Sequence, residues 1–97
     1  MQMTEEMFRV VLETAGAKAD KDGWASLPDH HMMTLYVGHN GVQLTVSKVT
    51  AVKTVGPICK ARNLKGELFV LAIDDIFATA LDGGGEAIPV RKAGFLG

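Results

Sequence analysis

Charge of one sign, disulfide chemistry and long apolar runs are all missing from this chain. Ten Lys and Arg stand against eleven Asp and Glu, for a net charge of −1 and a pI near 6.3. No global basic field exists to draw in nucleic acid or an anionic membrane, although a local patch remains open. The single cysteine, Cys59, has no partner for an internal disulfide, which points to a reducing compartment. The longest unbroken apolar run, Leu68–Ile73, is far below the ~18 residues of a membrane span. The first residues, Met1-Gln-Met-Thr-Glu-Glu, lack the basic start and apolar core of a signal peptide. The expectation is a cytoplasmic domain with no membrane association.

Motifs for chemistry are equally scarce. His30 and His31 are adjacent and point to opposite faces of an extended segment. His39 lies at the far end of the next strand, roughly 25 Å from His31, so no spacing fits a shared metal. Cys59 falls on the inward, small-residue side of its strand, where a thiol is ordinarily buried and inert. Ser26 and Ser47 have no nucleophile motif around them. Gly83-Gly84-Gly85 is followed by Glu86 and soon by Pro89, not by a helix start with lysine, and so is no phosphate loop. The carboxylate pairs Glu5-Glu6 and Asp74-Asp75 suit helix starts, and Asp20 and Asp22 sit in a linker with Lys18 and Lys21. No cofactor, metal site or catalytic constellation emerges, and a non-enzyme is expected.

What is present is a series of strands. Met32–Val37, Val42–Val55, Ile58–Asn63 and Glu67–Ala72 are separated by His-Asn-Gly, Gly-Pro and Leu-Lys-Gly turns. Met33, Leu35 and Val37 alternate with Met32, Thr34 and Tyr36, which puts the odd positions on the core side. Asn40-Gly41 is a strong two-residue hairpin signal. Val42, Leu44 and Val46 keep the alternation, then Lys48 breaks phase and Val49 takes the apolar role. A one-residue slip of that kind predicts a β-bulge and a bent strand. Leu68–Ala72 is apolar on both faces and reads as the most buried strand.

Helix signals bracket this stretch. Thr4 is an N-cap candidate, Phe8, Val11, Leu12 and Ala15 form one apolar face, and Gly16 is placed to close the helix. Ala17–Asp22 reads as a polar linker leading to Trp24, Leu27 and Pro28 in an extended approach. Ile73, Ile76, Phe77, Ala80 and Leu81 follow helical spacing, with Asp74 and Gly83 as caps, and predict a second short helix. The competing assignment is a fifth strand over Ile76–Leu81, which Thr79 favours. Residues 1–82 form one globular domain in this reading. Residues 83–97 form a glycine-hinged tail that either adds an edge strand or reaches a partner.

The fold class is therefore α+β, mainly β. It comprises an N-terminal helix, a strongly bent antiparallel sheet of four to five strands and a short C-terminal helix. In layout this resembles the SH3-like and Sm-like small barrels. The likeness is one of arrangement, and no motif or functional residue is carried over from it. A fifth strand would bring the layout closer to the Sm-like barrels, with ring assembly and RNA binding as what that resemblance implies.

Two surfaces are candidates for function. Met32 and Tyr36, with the tail residues Ile88, Val90, Phe95 and Leu96, are more apolar surface than a short chain hides alone. They point to an interaction module that binds a protein partner or further copies of itself. Lys48, Lys53, Lys60, Arg62 and Lys65 form a basic stripe along the second and third strands. That stripe could contact an anionic ligand or RNA phosphates, yet no aromatic residue is interleaved in it for base stacking. A solvated sheet face with lysines guarding its edge is the simpler expectation.

Overall fold

The computed structural model describes residues 3–83. Helix α1, Glu5–Thr14, starts where Thr4 Oγ1 accepts a hydrogen bond from the Met7 N–H at 3.0 Å. It ends in a Schellman motif, with Gly16 N–H donating to Glu13 O and Ala17 N–H to Leu12 O. Gly16 has φ +75°, the left-handed conformation that this closure needs. Phe8 on the apolar face is fully buried, and Val11, Leu12 and Ala15 pack against the same core.

Seven strands follow: β1 Lys18–Ala19, β2 Trp24–Ser26, β3 Met32–His39, β4 Val42–Val55, β5 Ile58–Asn63, β6 Leu68–Ala72 and β7 Ile76–Asp82. The expected polar linker is thus partly a small hairpin. Asp20 Oδ1 shapes its turn by accepting from the backbone N–H groups of Asp22 and Trp24.

The bent strand β4 organises the sheet. Along one edge it pairs with β3 from Val42 to Val49, and then with β2 from Ala51 to Lys53. Its second half also carries β5 on the opposite edge, and β5 carries β6. Two wings result: β7-β3-β4 and β1-β2-β4-β5-β6. The break between them lies at Lys48, whose φ of +59° is left-handed, with ladder shifts on both sides of β4 nearby. This is the bulge that the phase slip predicts. Asn40 and Gly41 both have positive φ, as a type I′ hairpin turn requires.

Further expectations need correction. The second helix does not form: Ile73–Asp75 is a single 3-10 turn and Ile76–Asp82 is strand. The i, i+3 spacing of Ile73 and Ile76 is satisfied by that turn, which buries both side chains. The rest pairs with the second edge of β3, where a ladder of backbone hydrogen bonds outweighs a short helical pattern. Nor is the sheet a closed barrel. The tight turn at Ile73–Asp75 sends the chain from β5's edge straight to β3's edge, and no ladder joins β6 to β7.

The core lies between the two wings, with α1 across it. Met33, Leu35, Val46, Val49, Val52, Cys59, Ala61, Ile73 and Ile76 are all essentially inaccessible, together with Phe8. β6 is not the most buried strand, since Leu68 and Val70 are more than half exposed. Among the described residues no helix is long and apolar enough to cross a membrane.

Candidate functional site

The outer face of the second wing gathers most of the chemistry. Residues directly opposite in a ladder share a face, and Trp24, Lys53, Lys60 and Val70 are opposed in turn across β2, β4, β5 and β6. The next row runs Lys18, Ser26, Ala51, Arg62 and Leu68. The intervening row, with Val52 and Ala61, faces the core. Three members of the basic stripe, Lys53, Lys60 and Arg62, thus lie side by side on one solvent-facing surface.

An aromatic side chain completes that surface, contrary to expectation. The Arg62 guanidinium carbon stands 4.4 Å from the centroid of the Trp24 ring. Trp24 reaches the stripe because β2 pairs with the second half of β4, a long-range contact that no local pattern announces. The one ion pair among the described residues is His39–Asp75, so within them neither Arg62 nor the two lysines has a carboxylate partner. Two acids of the adjoining turns have other hydrogen-bond partners. Asp20 caps the β1–β2 turn, and Glu67 Oε1 accepts from Asn63 Nδ2 at 2.7 Å.

Lys48 and Lys65 part from this group. They lie with Ser47, Asn63, Glu67 and Phe69 around a shallow pocket of about 220 Å³ beside the bulge. The five-residue stripe is therefore two separate groups, divided by the bend in β4.

On the first wing, Met32 and Tyr36 share the outer face of β3 and are half-buried. Phe77, the extra residue of a bulge in β7, stands beside Tyr36 with ring centroids 6.3 Å apart. It also covers Gly38, where an added Cβ would sit 3.3 Å from the Phe77 ring. Ile88, Val90, Phe95 and Leu96, the remaining partner candidates, lie outside the described residues.

Sheet edges differ in how they are guarded. β1 is two residues long and carries Lys18, and the outer edge of early β4 ends at the Lys48 bulge. β6 has neither device, and β7, although bulged at Phe77, carries no charge before Asp82. Each has a partner on one side only among the described residues, and each is uncharged from its first residue to Ala72 and Leu81, respectively. Val70, Leu68, Phe77 and Leu81 are exposed along them.

His39 Nδ1 lies 2.9 Å from Asp75 Oδ1, and this hydrogen bond, followed by the Asp75 charge, raises the histidine pKa. Asp75 was expected to open a helix and instead holds the β3–β4 hairpin. The Cys59 thiol is fully buried, and desolvation pushes its pKa up to about 12. It is the buried thiol that its strand parity suggests, with the thiolate that nucleophilic chemistry requires disfavoured. Among the described residues no group of three His, Cys, Asp or Glu could hold a metal ion. Comparison with protein families, curated proteins and solved structures gives no match for this chain.

Proposed function

We propose that this chain is a non-catalytic interaction module that assembles with further copies of itself through the edges of β6 and β7. The observation that carries this reading is the contrast between guarded and unguarded edges in one sheet. Natural sheets blunt exposed edges with charge, bulges or short strands, because unpaired N–H and C=O groups template pairing with another chain. β1 is short and charged and early β4 ends at a bulge, whereas β6 presents an apolar, uncharged edge and β7 one that stays apolar and uncharged on either side of its Phe77 bulge. A second copy is the occupant that meets both needs, since its β6 pairs with the first copy's β7 and leaves complementary edges at each end. Such a head-to-tail contact closes into a ring or extends as a filament, according to the rotation between copies.

The order of pairings supports a finer fold reading of the same kind. A bent strand shared by two wings, and a last strand returning to the first long one through a 3-10 turn, are features that favour reading the sheet as an SH3-like barrel left open between β6 and β7. Intermolecular pairing would continue the sheet through that opening. The lone buried cysteine fits an assembly working in a reducing compartment.

Size-exclusion chromatography with light scattering across a dilution series tests the reading. The full chain is expected to be oligomeric at micromolar concentration. Val70→Lys and Phe77→Lys, each blocking one edge, are expected to be monomeric alone and to form a dimer when mixed. A monomer at every concentration overturns the proposal. So does a chain that becomes oligomeric only when residues 84–97 are removed, since the tail would then be the occupant of the edge.

A further inference from the structure

We propose that the outer face of the second wing, centred on Trp24 and Arg62, binds single-stranded nucleic acid. This inference stands apart from self-assembly, because it uses a face of the sheet and not its edges.

The argument begins with how Arg62 is held. A guanidinium fixed by a carboxylate spends its N–H donors on that partner. Arg62 is instead positioned by the π-face of Trp24 at 4.4 Å, and its side chain has no hydrogen-bond acceptor among the described residues. Its donor fork is therefore oriented yet unspent, the state suited to a phosphate. Lys53 and Lys60 are directly opposed across β4 and β5, with Arg62 two residues along from Lys60. Like charges opposed in a ladder destabilise it, and an anion placed between them removes that repulsion.

The spread of the cations selects a polyanion over a single phosphate. Lys18 and Arg62 occupy one row with β2 and β4 between their strands, roughly 14 Å at ~4.8 Å per strand. No one phosphate spans that row, whereas a flexible phosphodiester backbone does. The Trp24–Arg62 pair supplies the second requirement of such ligands. Aromatic rings and guanidinium planes are the platforms on which unpaired bases stack, without regard to sequence. A duplex keeps its bases stacked inside and cannot use the platform.

The overall charge of −1 does not oppose this, because six of the eleven acids lie on other elements. Glu5, Glu6 and Glu13 are on α1, Asp74 and Asp75 are in the 3-10 turn, and Asp82 ends β7. On the proposed face Asp20 and Asp22 belong to the β1–β2 turn, and Glu67 is bonded to Asn63.

Trp24 is the single tryptophan, so its fluorescence reports on the site directly. The full chain is titrated at 50 mM salt with a twelve-residue oligothymidylate, with inorganic polyphosphate and with a DNA duplex. Oligothymidylate is expected to quench Trp24 and to bind at least tenfold more tightly than polyphosphate or the duplex. Its log K should fall with log salt at a slope of about −2, as three contacted phosphates imply for a single strand. Lys60→Glu is expected to weaken binding tenfold or more while keeping the fold, because it places a carboxylate opposite Lys53. Arg62→Lys, which keeps the charge, is expected to lose most of the advantage over polyphosphate. No quenching by oligothymidylate overturns the proposal, as does equal affinity for polyphosphate, which would mark a simple anion site. Affinity unchanged in Lys60→Glu overturns it as well.

Discussion

The Arg62 guanidinium carbon lies 4.4 Å from the ring centroid of Trp24, although the two stand 38 positions apart in the chain. The contact joins β5 to β2 across β4, so it tests the second wing as a unit. A double-mutant cycle with Trp24→Leu and Arg62→Met, followed by urea unfolding, is expected to give a coupling of about 0.5–1 kcal/mol. A coupling near zero would leave the indole as simple cover for β4.

Lys53 and Lys60 face each other in the ladder without an ion-pair partner among the described residues. Lys60→Glu converts a like-charge pair into an opposite one. It is expected to raise stability by about 0.2–1 kcal/mol at low salt, a gain that disappears in 1 M salt. Urea midpoints at the two salt concentrations measure this. A protein more stable without ligand yet weaker in binding would be the signature of a face kept basic for use.

Lys48 holds φ at +59°, a conformation costing a side-chain-bearing residue about 1–2 kcal/mol relative to ordinary backbone. Glycine avoids that strain but has a more flexible unfolded chain to order. Lys48→Gly is accordingly expected to stabilise by up to about 1 kcal/mol, while Lys48→Val destabilises. If both destabilise alike, the side chain and not the backbone matters at the bulge.

The His39–Asp75 bond makes one small contribution to stability dependent on pH. The folded-state pKa of His39 is raised above its ordinary value of ~6.5 by the Asp75 hydrogen bond and charge. Protonation therefore favours the folded state. The contribution is fully present below that ordinary value and fades as pH rises through the folded one. Proton NMR titration of the His39 ring should find the raised value in the parent and a return toward the ordinary one in Asp75→Asn. An unchanged titration in the variant would assign the shift to something other than this contact.

Much of the architecture was legible in local pattern. Alternation identified the inward residues of β3, Asn40-Gly41 marked its hairpin, and the misplaced Lys48 announced the bulge. Thr4 and Gly16 bounded α1 by capping chemistry that acts within a few residues. The Ile73–Leu81 segment misled because a 3-10 turn and a helix share i, i+3 spacing. A strand there depends on an open edge of β3, more than thirty residues away. The basic stripe was found by outward parity along β4 and β5, but parity is blind to a bend, which sends Lys48 and Lys65 to a different surface.

By itself, then, the sequence determined which residues turn inward, where the chain reverses and where its longest strand must kink. Those outcomes follow from side-chain periodicity and the backbone preferences of single residues. Which strands meet was decided only in three dimensions, because a ladder forms between whichever edges the core leaves open. That pairing made Ile76–Asp82 a strand, left β6 and β7 with one open edge each and brought Trp24 beneath Arg62. Each of the proposed surfaces depends on it.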